Sequence, residues 1–128
     1  MSYYLSRIVP LTFADAVVRV KSALAQEGFG VLSDIDVQAT LTGKLGVEFP
    51  AYRILGACNP AFAHKALLIE DKLGVLLPCN VIVRQSAPGQ VEIAAVDPVS
   101  SLERTGNAGL AAVAAEVRDR LQRAVDAV

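Results

Sequence analysis

A chain of 128 residues is long enough to bury a hydrophobic core within one domain, so we expect that no cofactor is required for folding. Its net charge of −1, with scattered Lys and Arg residues, excludes the concentrated basic surface that binds nucleic acid or an anionic membrane. A composition that is 53% hydrophobic but has no run able to span a bilayer, together with an N-terminus that lacks signal-peptide features, predicts a soluble cytoplasmic protein.

A strand and a helix open the predicted fold. The segment YYLSRIV is β-prone and ends at Pro10. Thr12 and Asp15 have the spacing of a helix-capping box, and apolar residues follow at helical intervals as far as the stop signal Gly28. The first helix is therefore predicted between Thr12 and Gly28.

A shorter strand and helix come next. Val31–Ser33 is predicted as a strand, and Asp36 can cap a helix that runs to about Leu45, with Leu41 and Leu45 facing inward. Gly43 weakens this helix by roughly 1 kcal/mol relative to Ala.

A third strand and helix are predicted in the middle of the chain. Tyr52–Cys58 alternates β-prone residues and predicts a strand. Asn59 can accept a hydrogen bond from a backbone N–H, and Pro60 suits the first helical position because its missing donor is not needed there. We expect the third helix to run from Pro60 to about Asp71.

A hairpin should follow that helix. Leu73–Arg84 is apolar at both alternating sets of positions, which predicts a strand buried on two faces. Pro78 should mark a bulge or a local edge in this strand, because proline has no N–H to donate. The Pro-Gly turn signal in Ser86–Gln90 leads into a strand at Val91–Val96.

The last predicted element is a helix from near Asn107 to the C-terminus. Its apolar positions alternate between spacings of four and three residues, as in a helix that is packed along one face or paired with another helix. These positions are Leu110, Ala114, Val117, Leu121, Ala124 and Val128. The order β-α-β-α-β-α-β-β-α predicts a single α+β domain over residues 1–128, with helices packed on a mixed β-sheet.

The two cysteines form the most distinctive pattern of the sequence. Each stands directly before an asparagine, at Cys58-Asn59 and Cys79-Asn80, and the one histidine, His64, follows the first pair. A thiolate at Cys58 would be stabilised by the N-terminus of the third helix. Because His64 in that helix could point back toward Cys58, one interpretation is a thiol enzyme with Cys58 as nucleophile and His64 as base.

Three other interpretations use the same residues. Cys58, His64 and Cys79 could hold zinc or copper if their strands are neighbours, although their spacing matches no standard zinc module. A small anionic or polar ligand could instead bind at the helix N-terminus beside Asn59 and Asn80. Alternatively, both thiols only pack in the core, and the asparagines only satisfy backbone groups.

Two arginines and one aspartate carry weaker signals. Arg53 and Arg84 lie on otherwise apolar strands, where they could rim a cleft, pair with an acidic residue, or reach solvent from a sheet edge. Asp97 stands before Pro98, which predicts a turn.

The segments GFGVLSDIDVQATLTGKLGVEF, YRILGACNPAFAHKAL and LGVLLPCNVIV resemble an uncharacterised bacterial and archaeal family, domain of unknown function number 302. The resemblance covers nearly the whole chain and implies a single α+β domain that forms a homodimer and has no established reaction. The family's recurrent segments fall on Cys58-Asn59-Pro60, His64 and Pro78-Cys79-Asn80.

These observations lead to one expected function and two alternatives. We expect a regulatory homodimer that binds a small ligand or a metal, with no nucleic acid or membrane as partner. Its expected site residues are Cys58, Asn59, His64, Cys79 and Asn80. The alternatives are a thiol-dependent enzyme that uses Cys58 with His64, and a purely structural dimerisation domain.

Overall fold

Five strands and five α-helices make up the computed structural model, which describes residues 2–128. The strands are β1 Tyr4–Val9, β2 Gly30–Asp36, β3 Tyr52–Cys58, β4 Cys79–Ala87 and β5 Gln90–Val96. The helices are α1 Phe13–Gln26, α2 Val37–Leu45, α3 Pro60–Ile69, α4 Pro98–Glu103 and α5 Ala111–Asp126. Single 3₁₀ turns lie at Leu73–Leu76 and Ala108–Leu110.

The strands form one sheet in the order β1-β5-β4-β3-β2. The predicted α+β class is confirmed, and so is the predicted order of its elements, with the short helix α4 as an addition. Every pair of neighbouring strands is antiparallel, however, so the expected mixture of parallel and antiparallel pairs is absent from the described sheet. The reason is that α1 carries the chain from one edge of the sheet to the other, and the strands that it joins are therefore not neighbours.

Local sequence signals account for α1. The Thr12 Oγ1 accepts a hydrogen bond from the Asp15 N–H at 3.2 Å, as the capping-box spacing predicts. After the helix, Gly28 adopts a left-handed φ of +85°, which is costly for any residue with a Cβ. The apolar face of α1, with Val20 and Leu24, packs against the sheet.

The apolar seam predicted for the terminal helix is confirmed. All six of its positions are buried within this chain, from Leu110 to Val128. Helix α5 packs against α1, α4 and strands β1 and β5, so the four-three spacing is satisfied without a second helix from another molecule.

Three local predictions are wrong. Leu73–Leu76 forms a 3₁₀ turn, and β4 begins only at Cys79, after a cis peptide bond between Leu77 and Pro78. The register of β4 with β3 is regular, so Pro78 precedes the strand and does not create a bulge in it. Leu45 is 68% exposed, because α2 joins two neighbouring strands, packs mainly against β3 and has no further layer to cover it.

The two arginines on the strands form ion pairs with acidic residues of this chain. Arg84 Nε lies 2.6 Å from a Glu92 carboxylate oxygen, and Arg53 lies 3.0 Å from Asp34, so both arginines pair with acids. Burial opposes ionisation of Asp34, but hydrogen bonds from Lys21 and Arg53 hold the pKa of Asp34 below its usual value.

Buried side chains form two clusters. The larger lies between the sheet, α1 and α5, and the smaller joins α3, α4 and the two 3₁₀ turns around Leu73 and Leu102. Among residues 2–128, no helix combines the length and the apolar character that crossing a membrane requires.

Candidate functional site

The two cysteines meet at one end of the sheet. Cys58 is the last residue of β3 and Cys79 is the first residue of β4. Ala57 stands opposite Cys79 in the antiparallel register of β3 and β4, so Cys58 lies one residue beyond the position that faces Cys79. The strand prediction at Tyr52–Cys58 therefore placed Cys58 correctly, and the later start of β4 brings Cys79 beside it.

Both cysteines line a cavity of about 50 Å³ that lies between the two buried clusters. Its walls are almost entirely apolar, with Phe62 from α3, Leu77 from the segment before β4 and Leu102 from α4. A water molecule in the liquid occupies about 30 Å³, so the space suits a few heavy atoms at most.

The cavity controls the charge of Cys79. Removal from water, followed by the proximity of Cys58, raises the pKa of Cys79 to about 11, from 9.0 for the free side chain. Cys79 is therefore a neutral thiol at physiological pH, and both cysteines are free.

Asn59 lies at the cavity but does not cap α3 as predicted. Its backbone occupies the N-cap position before Pro60, yet its side chain makes no capping hydrogen bond. The side-chain amide lies instead against the turn that follows α1: a Cβ added to Gly28 would come within 2.9 Å of Asn59 Nδ2. Asn59 thus packs the start of α3 onto the end of α1.

His64 lies outside the cavity. Residues 59, 62, 63 and 66 of α3 face the cavity at helical spacings of three and four. Since successive helical residues are about 100° apart, His64 is turned away from this face, and its side chain is exposed. The structure therefore does not assemble the predicted Cys58–His64 couple.

Asn80 also lies elsewhere. It stands next to Cys79 on β4 and so points to the opposite face of the sheet, where it is exposed beside Ile82 and Arg84. Of the five expected site residues, the structure gathers Cys58, Asn59 and Cys79.

The three-ligand metal set is not assembled either. Across residues 2–128, no three His, Cys, Asp or Glu side chains are grouped so that they could hold a metal ion. The physical reason is the orientation of His64, which leaves only two sulfur atoms at the cavity.

An ion pair between the buried carboxylate of Asp97 and the partly exposed Arg118, which the sequence reasoning missed, supports the cavity wall. Asp97 is 4% exposed; its carboxylate accepts hydrogen bonds from the Val99 N–H at 3.0 Å and from Arg118 Nε at 3.0 Å. It thereby caps α4 and ties it to α5, and α4 contributes Ser101 and Leu102 to the cavity. The Asp97-Pro98 pair could have been interpreted as a helix start as well as a turn.

The comparisons with known proteins agree with the fold. The sequence matches the family described as "Domain of unknown function DUF302" over residues 5–128. A protein from Aquifex aeolicus (strain VF5), named "Uncharacterized protein", is 24% identical over 90 residues, which cover 70% of this chain. The matched segment spans 56% of that relative's length.

A solved structure is similar over almost its whole length. The crystal structure of uncharacterized conserved protein DUF302 from Bacillus stearothermophilus has a TM-score of 0.91 and 29% sequence identity, with 98% of each chain covered. The names of these relatives state no ligand and no reaction. With a family match that spans nearly all of its residues, the chain belongs to the DUF302 family of domains of unknown function.

Proposed function

We propose that this domain binds a small, mainly apolar ligand in the cavity lined by Cys58 and Cys79 and does not act on it chemically. The observation that carries the proposal is that cysteines from two strands wall one apolar cavity, while Cys79 is held as a neutral thiol. A neutral thiol is a weakly polar, polarisable surface, which suits an apolar ligand better than an ion.

The size of the cavity restricts the ligand. A space of about 50 Å³ accepts a few heavy atoms, or the apolar end of a larger molecule. Cys58, Asn59 and Ser101 are the polar side chains at its walls, and they offer a few directional hydrogen bonds to such a molecule. The apolar surroundings favour this ligand over the anion that the helix N-terminus alone suggested.

The other interpretations find less support in the geometry. A general base must come within hydrogen-bond reach of its nucleophile, and His64 faces away from the cavity that Cys58 lines. Two sulfur atoms alone, one of them on a thiol with a raised pKa, are a poor set for zinc, which takes four ligands in structural sites. We place the ligand-binding domain in the cytoplasm, where free thiols stay reduced.

Xenon is a suitable probe because it is apolar and small, and because it enters dry cavities. In a xenon titration followed by methyl NMR, signals of Leu77, Leu102 and Val117 should shift and saturate. The variant Ala63→Leu should remove the shifts, since Ala63 lines the cavity. Ala61→Leu is the matched control, because Ala61 lies on the exposed face of the same helix. Unsaturable shifts, or equal effects of the two variants, would contradict the proposal.

A further inference from the structure

The face of the sheet opposite α1 and α5 carries a continuous apolar row. The register pairs Ile35 with Ile54, Ile54 with Ile82, and Ile82 with Ala94, so these side chains lie side by side across β2, β3, β4 and β5. The buried positions of the strands alternate with them and point to the helices. We call the outward-pointing surface, centred on Ile35, Ile54, Ile82 and Ala94, the open face.

The open face departs from the usual pattern of a sheet with one solvated side. Such strands normally alternate apolar residues inward with polar residues outward. Here the outward positions combine the polar residues Ser6, Asn80, Arg84 and Glu92 with a row of apolar residues. Several of the apolar residues are well exposed: Ile8 by 56%, Ile35 by 48% and Tyr4 by 43%. The sequence of β4 likewise predicts a strand buried on two faces, whereas the described chain buries only one.

We propose that the open face packs against the open face of a second copy of this chain. The electrostatics fit such a self-complementary contact. The two charges at its centre, on Arg84 and Glu92, already pair within the chain at 2.6 Å, so a second copy would bury no unpaired charge. The face has no net charge with which to attract a strongly charged partner.

The shape also fits an isologous contact, in which both copies use the same patch. The open face contains a shallow depression of about 620 Å³ lined by Tyr4, Tyr52, Ile82 and Arg84. Ile8 stands exposed on the edge strand, opposite Glu92. Each copy therefore offers both an apolar projection and a depression that can receive one.

The area of the open face is near the lower limit for a specific dimer. Five strands spaced about 4.8 Å apart, with about six residues each, give a face of about 24 Å by 20 Å. Upright side chains raise the accessible area above this projection, toward the roughly 600–800 Å² per partner of a stable complex. Packing at a sheet separation of about 10 Å would give four layers, with helices outside and two sheets inside.

The test is the mass of the particle in solution at 50 μM chain, measured by light scattering after size exclusion. The wild-type protein should have twice the chain mass of 13.5 kDa. Ile82→Glu should raise the dissociation constant at least about 100-fold, because a carboxylate would be buried at the centre of each face, and should give monomers. Ile8→Glu, on the edge strand, should also disrupt the dimer. It provides an independent test if circular dichroism shows that Ile82→Glu does not fold.

Val18→Glu is the matched control, since Val18 is 67% exposed on α1 and away from the open face. It should leave the dimer intact. A monomeric wild-type protein would overturn the proposal and leave the open face to a different occupant. A dimer that survives both open-face variants, or that Val18→Glu disrupts, would place the interface elsewhere.

Discussion

Cys58 ends β3 one residue beyond the position opposite Cys79, the first residue of β4, and both cysteines line one apolar cavity. Ionisation of Cys79 is opposed first by its burial and then by its proximity to Cys58, which together raise the pKa of Cys79 to about 11. At neutral pH the cavity therefore presents Cys79 as an uncharged thiol. Three predictions concern this thiol and the wall around it.

The reactivity of Cys79 should keep rising well above pH 9. The thiolate is the reactive species, and with a pKa of about 11 only about 0.1% of Cys79 is ionised at pH 8. In a Cys58→Ser variant, alkylation by iodoacetamide should accelerate about tenfold per pH unit and level off well above pH 9 but below the wild-type pKa of about 11, because burial still opposes ionisation of Cys79 while the contribution of Cys58 is removed. Mass spectrometry of quenched samples gives the rate. A plateau near pH 9 would show that the cavity does not hold Cys79 neutral.

The same raised pKa makes part of the stability depend on pH. Below pH 9 both the folded and the unfolded chains keep the Cys79 proton, so its contribution is fully present. Between about pH 9 and 11 the unfolded chain loses the proton first, so the free energy of unfolding should fall, by up to roughly 3 kcal/mol. Urea unfolding should show this fall in the wild type and not in Cys79→Ala. If the free energy of unfolding falls equally with pH in the wild type and in Cys79→Ala, the raised pKa of Cys79 does not contribute to stability.

Asp97 should be important for stability, because it joins α4 to α5. Asp97→Ala removes the cap of α4 and the partner of Arg118, and we expect a loss of about 2–4 kcal/mol in the free energy of unfolding. The control is Asp71→Ala, whose pair with Lys72 is exposed and should contribute within about 0.5 kcal/mol. Urea denaturation measures the free energy of unfolding of both variants. If Asp97→Ala and Asp71→Ala lose similar amounts of stability, Asp97 does not stabilise the packing of α4 on α5.

Gly56 should tolerate no side chain. A Cβ at this buried position would overlap Ser33 Oγ and lie 2.8 Å from Pro78 Cγ, so Gly56→Ala should cost about 1–3 kcal/mol. Gly43→Ala is the opposite case, because its Cβ would meet open space within a helix and should stabilise by about 0.5–1 kcal/mol. Thermal melting tests both expectations: Gly56→Ala should lower the melting temperature and Gly43→Ala should raise it. If both variants raise the melting temperature, the contact between β3 and Pro78 is not tight.

Sequence patterns predicted the elements that depend on short-range signals. Thr12 and Gly28 bound α1 because capping and left-handed turns are local properties. The spacing of residues along α5 predicted its buried face for the same reason. The short helix α4 was missed, because an aspartate before proline starts turns and helices alike and the choice depended on Arg118 in a distant element.

The candidate site was predicted only in part. The strand and helix signals around Cys58 predicted that the site lies at the end of β3. Cys79 lies at the same end of the sheet because β4 pairs with β3. His64 was expected there on the assumption that its ring points back along α3. The rotation of that helix is fixed instead by Phe62 and Ala66, which pack into the interior, and this tertiary constraint turns His64 outward.

The most direct test of the ligand proposal is a crystal structure of the protein under xenon pressure. We predict an anomalous peak in the cavity between Cys58, Cys79 and Phe62 in the wild type, and its loss in Ala63→Leu. Xenon bound only at other places, with no peak at the two cysteines, would contradict the proposal that this cavity receives an apolar ligand.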